Sequence, residues 1–478
     1  MVRYFSPLLS AGVVMLIGCP VASYGRQEAV STQGQATQSQ KVGLDEITEG
    51  RVTATISFLA SDELAGRATG SDEFNIAARY VASRFRGAGL DGKLADGDYF
   101  HVTMKPMVKT PSTPVRLADA ESKPIAQFGL LAAGSEILNY TGMVKPVDLA
   151  SELPGSGLDG VVGGMLTTNL KGSRMISQVA RMTNTLQEAG AKALLLGVSD
   201  DSELIQTSRE YQEKPRSESA RGKFAIPVIL VPESALSSAS IQLEVPAAIV
   251  SESPMRNVIG LLEGTDPELS KEAVLFSAHL DHLGAKPIAG DGIFNGADDD
   301  ASGVTAVVML ADAFAKMPRP KRSLLFMTFW GEESGLLGSK QFVETPAWPL
   351  DQIRANVNIE MIGRPESGAR NKIWMTGWQE SDLGVVMNKA SLPFGVEIFE
   401  HPKFSAMLYR QSDNWSFAQK GVIAHSFSAG SLHSDYHQVD DEWDRLEIPH
   451  MTRVIQGLFI GSLPIAYGEA TPNKQNKN

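Results

Sequence analysis

The 478-residue chain concentrates imidazole and carboxylate in one short reach, AHLDHLG at 278–284 followed by NGADDDASG at 295–303. A globular core has no need of His279, Asp281, His282 and Asp298–Asp300 so close together after an apolar strand. More polar groups follow at comparable places: Glu332 and Glu333 after SLLFMTFW, Glu360 closing VNIE, and HSDYHQVDDEWD with His433 and His437. Each has an ordinary structural use on its own. A strand-end His can be a hydrogen-bonded surface residue, the triple Asp a helix N-cap, and the Glu pair a solvated turn. Jointly they form a donor set. Two His nitrogens and three carboxylates suit a pair of Zn ions, each with an open position for water or substrate. Two metals about 3.5–4 Å apart clamp a bridging hydroxide and polarise a carbonyl. A spare carboxylate must then act as base, and the Glu332–Glu333 pair supplies one.

The elements that must position these residues are legible from periodicity. Val52, Ile56 and Leu59 mark a helix, FLASDELAGRATGS a loop, and Phe74 to Phe85 a second helix stopped by Gly87 and Gly89. From Asn257 onward, apolar strands (NVIGLLEG, AVLFSAHLD, RSLLFMTFW, RANVNIEMIG, KGVIAHSFS) alternate with helices, ending in HMTRVIQGLFIGSLP. That pattern predicts an α/β fold, a three-layer arrangement with a mixed, mostly parallel central sheet flanked by helices. Ligands of such sheets bind at the carboxyl ends of strands, where the polar clusters fall.

Between the two halves of this pattern, 137–251 reads as a small inserted β-rich α/β domain, with a helix near 173–189 and the short strands AKALLLGVSD and FAIPVILVPESAL. Insertion of a compact domain in a surface loop is inexpensive, because closure entropy grows slowly with length. The expected organisation is therefore 1–26 signal peptide, 27–44 flexible linker, 45–136 and 252–468 the two parts of the main domain, and 469–478 a polar tail.

Apolar content of 43% fits a globular protein, and a net charge of −12 without a basic run excludes a nucleic-acid partner. Arg3, the apolar run Ala11–Ile17 and the small residues after it read as an export signal, too short for a membrane span. The only cysteine, Cys19, closes LIGC. That resembles a bacterial lipobox, which would make Cys19 a lipid anchor; cleavage near Ala22 or Ser23 would instead discard it. Both routes lead out of the cytoplasm: periplasm, outer membrane or medium. The mature chain has no thiolate pair, so a metal must be held by His and carboxylate.

AHLDHLG, GADDDASG, FWGEESGLLGS, VNIEMIGR and SDYHQVDDEWD, in that order, closely resemble the secreted co-catalytic zinc aminopeptidases, the M28 peptidases. The resemblance spans most of 45–130 and 255–465. The insert is similar to a protease-associated domain, chiefly through GAKALLLGVSD and IPVILVPESAL. What the family likeness implies, residue by residue, is two Zn2+ per chain. Asp299 bridges them, Glu333 and His437 complete one site, and His279 and Glu360 the other. Glu332 is the general base and Tyr436 stabilises the oxyanion. Asp281 accepts from the far nitrogen of His279, and Asp441 serves His437 in the same way. His282 becomes a neighbour, and Asp298 and Asp300 shape the turn. The substrate is then the N-terminus of a peptide or protein. Two positions depart from the family pattern: Glu360 stands where Asp is usual, and Asn414 in YRQSDNWSFAQKG where His often follows Ser-Asp. Within the fold the alternatives are a carboxypeptidase or dipeptidase, which needs a cation such as Arg410 or Arg364 in the pocket, or a one-zinc glutaminyl cyclase. Outside enzymes, the alternative is a non-catalytic binding ectodomain.

Overall fold

A nine-stranded mixed sheet organises the chain, in the order Glu397–Phe399, Lys372–Met375, Ala424–Ser428, Ile353–Ile359, Ala273–His279, Ser323–Phe329, Ile249–Leu262, Phe100–Lys109 and Pro215–Ser217. The computed structural model describes residues 37–475, apart from 96, 110–113, 126, 135, 166–171, 200–204, 206–207, 209–214, 218–223, 238–239, 286–290 and 431. The expected export signal 1–26, with Cys19, and the first part of the expected 27–44 linker lie outside the described residues. The linker ends sooner than expected: Gln38–Leu44 is helical, with Thr37 and Gln40 forming a capping box.

The four central strands, from Ala424–Ser428 to Ser323–Phe329, run parallel. Antiparallel pairings add Ile249–Leu262 and Phe100–Lys109 on one side and Lys372–Met375 on the other. Alternation along Ala273–His279 sends Val274, Phe276 and Ala278 into one core layer and Ala273 and Leu275 into the other. Both faces are covered, and that is why these strands are apolar throughout. Helix Ser302–Lys316 fills the first layer and is buried from Ser302 to Phe314, with Phe314 against Phe276, ring centroids 5.7 Å apart.

Strand order sets the site. From Ala273–His279 the chain steps to Ser323–Phe329 on one side, then returns to Ile353–Ile359 and Ala424–Ser428 on the other. The order reverses at His279, and a crevice opens at the carboxyl ends of the strands there.

The insert begins earlier than 137. Arg116–Asp119 and Gly129–Ala132, expected in the main domain, pair instead with Ser240–Val245 and Val228–Pro232. The module comprises that three-stranded sheet with Leu138–Met143, and a five-stranded sheet of Gly129–Ala132, Val228–Pro232, Ala191–Val198, Gly160–Met165 and Lys145–Pro146. Among the described residues, no helix is long and apolar enough to cross a membrane.

Candidate metal centre

Four strand ends and one turn deliver the polar residues to the crevice. His279 closes its strand and is 1% exposed. Its Nδ1 donates to the backbone carbonyl of Asp281 at 3.0 Å, so Nε2 faces the site, 3.1 Å from Asp299 Oδ1 and 3.8 Å from Glu360 Oε2. Asp299 divides its carboxylate between two sides: Oδ2 lies 3.1 Å from His437 Nε2, which is itself 3.3 Å from Glu333 Oε2. Two donor groups result, His279–Asp299–Glu360 and His282–Asp299–Glu333–His437, sharing Asp299. The structure thus gathers all five expected ligands, and it adds His282.

His282 is the residue that sequence reasoning set aside. Its Nδ1 approaches Glu333 Oε1 to 2.7 Å, out of line for a hydrogen bond. Both buried ring nitrogens of His282 and that Glu333 oxygen lack a hydrogen-bond partner. Buried polar atoms are rarely left so, and lone pairs converging on a second donor group suit a cation of the zinc class. The signal available in sequence was the three-residue step from His279 after the strand ends, where the chain turns back.

The turn holding Asp299 is built by its neighbours. The carboxylate of Asp441 accepts the backbone N–H groups of Asp298 and Asp299, each at 3.1 Å. Asp300 accepts from the N–H of Gly303 and Met361, and Asp298 from Gly363. Gly296, in the left-handed region at φ +57°, leaves no room for a side chain: a Cβ there would sit 2.4 Å from the His282 ring. Met361 and His437 adopt positive φ without being glycine, at 50° and 58°. Strain of this kind collects at functional sites.

Two expected supports work differently. Asp281 does not hold His279 through its carboxylate, which lies 4.0 Å from Nδ1. The carboxylate accepts instead from Thr69 Oγ1 at 2.6 Å and from the backbone N–H of Glu332 at 3.1 Å, placing the Glu332–Glu333 turn. Asp441 supports Asp298 and Asp299 rather than His437. The strand end has already turned by residue 281, so the backbone carbonyl reaches the ring first.

The charges are strongly coupled. Burial and the nearby Asp299 push Glu333 up, but His282 and His437 outweigh them and hold it down to about 2. Burial favours neutral His437, yet Asp299 and Glu333 raise it to about 9. Glu332 goes the other way: burial, with Glu360 and Asp413 beyond, raises it well above the ordinary carboxyl range although His279 opposes this. The longer Glu360 is accommodated by fixing one oxygen. Oε1 accepts from Asn358 Nδ2 at 3.1 Å and from Ser412, leaving Oε2 toward His279.

A cavity of about 100 Å³ opens beside the two groups, lined by His279, Asp299, Glu332, Glu360, Met361, Trp374, Thr376, Leu408, Gln411, Ser412, Ser426, Ser428, Leu432 and Tyr436. Arg364 pairs with Asp435 at 2.7 Å, and Arg410 lies over Trp415, 4.9 Å from its ring centroid; neither lines the cavity. Asn414 is buried, with its amide bonded to Tyr409, Ala424 and Ser426. His433 sits behind Asp298 at 3.2 Å, outside both donor groups.

Comparison with known proteins matches this arrangement. A probable zinc metalloprotease of Pyrenophora teres f. teres is 35% identical over 111 residues, 23% of each chain. A vacuolar membrane protease of Yarrowia lipolytica is 28% identical over 168 residues, 35% of this chain and 15% of that one. The chain thus spans less than a quarter of the length of these curated relatives. Two solved structures share the fold: a zinc aminopeptidase of Bacillus subtilis (17% identity, TM-score 0.57, 90% of this chain and 97% of that one) and an aminopeptidase of Aneurinibacillus sp. strain AM-1 (19%, 0.53, 89% and 96%). The profile of Peptidase family M28 matches residues 257–459. That segment, which carries both donor groups, is similar to Peptidase family M28.

Proposed function

We propose that the protein is a zinc-dependent aminopeptidase that hydrolyses N-terminal peptide bonds with two Zn2+ per chain. The observation that carries this reading is Asp299, whose two oxygens face separate donor groups. His279 and Glu360 would hold one ion, Glu333 and His437 the other, with Asp299 between them and His282 within reach of the second. Zinc, when bound there, supplies Lewis acidity toward a carbonyl and toward water. Glu332 takes a proton from the attacking water and returns it to the leaving amine. Burial raises its pKa and so favours the protonated form that hands the proton on to the amine. Tyr436, at the cavity wall, donates its hydroxyl to the developing oxyanion.

Direction of attack follows from the cavity. Among the described residues its wall holds no Lys or Arg and three carboxylates, Asp299, Glu332 and Glu360. That wall offers a C-terminal carboxylate no Lys or Arg to pair with, against the carboxypeptidase alternative. Two donor groups disfavour a one-zinc cyclase, and an intact ligand set disfavours a binding ectodomain. The apolar wall of Met361, Trp374, Leu408 and Leu432 suits an apolar N-terminal residue. Export through 1–26, with or without an anchor at Cys19, and a protease-associated role for the insert belong to the same reading. The deciding experiment compares aminoacyl arylamides with N-acetylated peptides, with chelator and zinc add-back. Cleavage of the blocked peptides alone overturns it.

A further inference from the structure

Arg67 is 1% exposed, and every hydrogen bond of its guanidinium ends on a backbone carbonyl. Nε donates to Leu280 at 2.9 Å, Nη1 to Leu59 at 2.5 Å and to Asn295 at 2.7 Å, and Nη2 to Gly296 at 3.0 Å. Leu280 follows His279 in the chain, and Asn295 and Gly296 open the turn that carries Asp299. We infer that Arg67 is a positioning residue for the metal centre, one planar cation pinning the strand end of His279 to the turn of Asp299. The inference rests on the zinc reading above.

Geometry and charge both point this way. A guanidinium presents its N–H groups in a fixed plane, so it can hold three chain segments at once, whereas an ammonium is a compact point donor. The carbonyl of Arg67 accepts the N–H of His282 at 3.2 Å, and Thr69 two residues on donates to Asp281. The loop after Leu59 therefore backs both donor groups. Burial lowers the Arg67 pKa to about 10, while Asp281, Asp441, Asp300 and Asp299 favour its charge, so it is a fixed cation at neutral pH. It meets no carboxylate directly, which leaves those of the site free for metal.

The test compares wild type, Arg67→Lys and a core control, Ile56→Ala, whose side chain is fully buried on the neighbouring helix. Zinc content and zinc affinity, by competition with a chromophoric chelator, are read alongside melting temperature. The expected result is zinc binding about 10–100-fold weaker in Arg67→Lys, the range for groups that orient metal ligands, with affinity unchanged in Ile56→Ala. Wild-type affinity in Arg67→Lys overturns the inference, as does equal weakening in Ile56→Ala. So does an Arg67→Lys chain that stays unfolded at millimolar zinc, which would make the guanidinium a general determinant of the fold. A variant folded only with excess zinc supports it. Wild type that binds no zinc refutes the underlying zinc reading instead.

Discussion

The ring of Tyr436 stacks on that of His437, centroids 3.9 Å apart and planes inclined by 19°. The stack orients a phenol at the cavity wall beside a proposed ligand. Burial, with Asp299 and Glu333 nearby, raises its pKa above the ordinary phenol range, so it remains a proton donor. Tyr436→Phe preserves the stack and removes the hydroxyl. We expect kcat to fall about 10²–10³-fold, the effect of losing one oxyanion donor, with KM and zinc content little changed. Loss of zinc in parallel would reassign Tyr436 to packing.

Glu332→Gln isolates the proposed base. The amide keeps the shape and cannot take a proton, so kcat should drop by about 10²–10⁴-fold or more while both ions remain. Steady-state rates with zinc analysis check this, and full activity would remove Glu332 from the mechanism.

Stability of the chelated protein should decline as pH rises from 6 to 9. His437 is raised from 6.5 to about 9, so its contribution is complete below 6.5 and is lost through 9. Burial raises Asp413 to about 7, and burial with Asp298 raises Asp441 to about 6. Folding therefore favours their protonated forms, an advantage lost as pH climbs from their ordinary 3.8 through those values. Glu333, held near 2, has the opposite sign and matters only in acid. Zinc reverses the trend, because it binds deprotonated ligands and more tightly as pH rises. Melting curves with and without zinc at pH 6, 7.5 and 9 should therefore diverge; parallel curves would contradict the assignment.

Glu360→Asp restores the residue usual in the family and should weaken zinc binding here. The Glu360 N–H is bonded to Phe427 O at 3.0 Å, and its side chain is already fastened to Asn358 and Ser412. A carboxylate one methylene shorter cannot keep those contacts and also reach toward His279. We expect one ion to be held about tenfold more weakly, ~1.4 kcal/mol, and the other unchanged, as read by metal titration.

Much of this was legible in the chain itself. The strands ending at His279, Phe329, Ile359 and Ser428 are apolar runs closed by polar residues, so periodicity located the sheet and its functional edge together. Of the five candidate ligands, His279, Glu333 and Glu360 stood out because they lie at or just past strand ends, whereas Asp299 and His437 were reached through the resemblance of their motifs. His282 escaped because its approach to Glu333 depends on a turn after the strand, which has no period. Arg67 escaped because all its partners are carbonyls, three of the four more than two hundred residues away, and carbonyls leave no mark in sequence. Asp281 and Asp441 were recognised as supports but assigned the wrong partners, since proximity in a motif does not say which atom a carboxylate meets. The insert boundary failed for a related reason: Arg116–Asp119 pairs with Ser240–Val245, and such distant pairing is invisible locally.

The strands on either side of the insert are directly paired, from Phe100 opposite Val258 to Lys109 opposite Ile249. After Lys109 the chain touches the sheet edge once, at Pro215–Ser217, and then rejoins the sheet at Ile249 on the strand adjacent to Phe100–Lys109, about 5 Å away. Seen from the catalytic half, this is a hairpin whose turn has been exchanged for residues 110–248. The module is thus held to the main sheet at both ends of a closed loop and again through Pro215–Ser217, which pairs with 107–109; a two-residue Asn-Gly turn joining 109 to 249 would remove it together with that edge strand and leave Ile249–Leu262 in register.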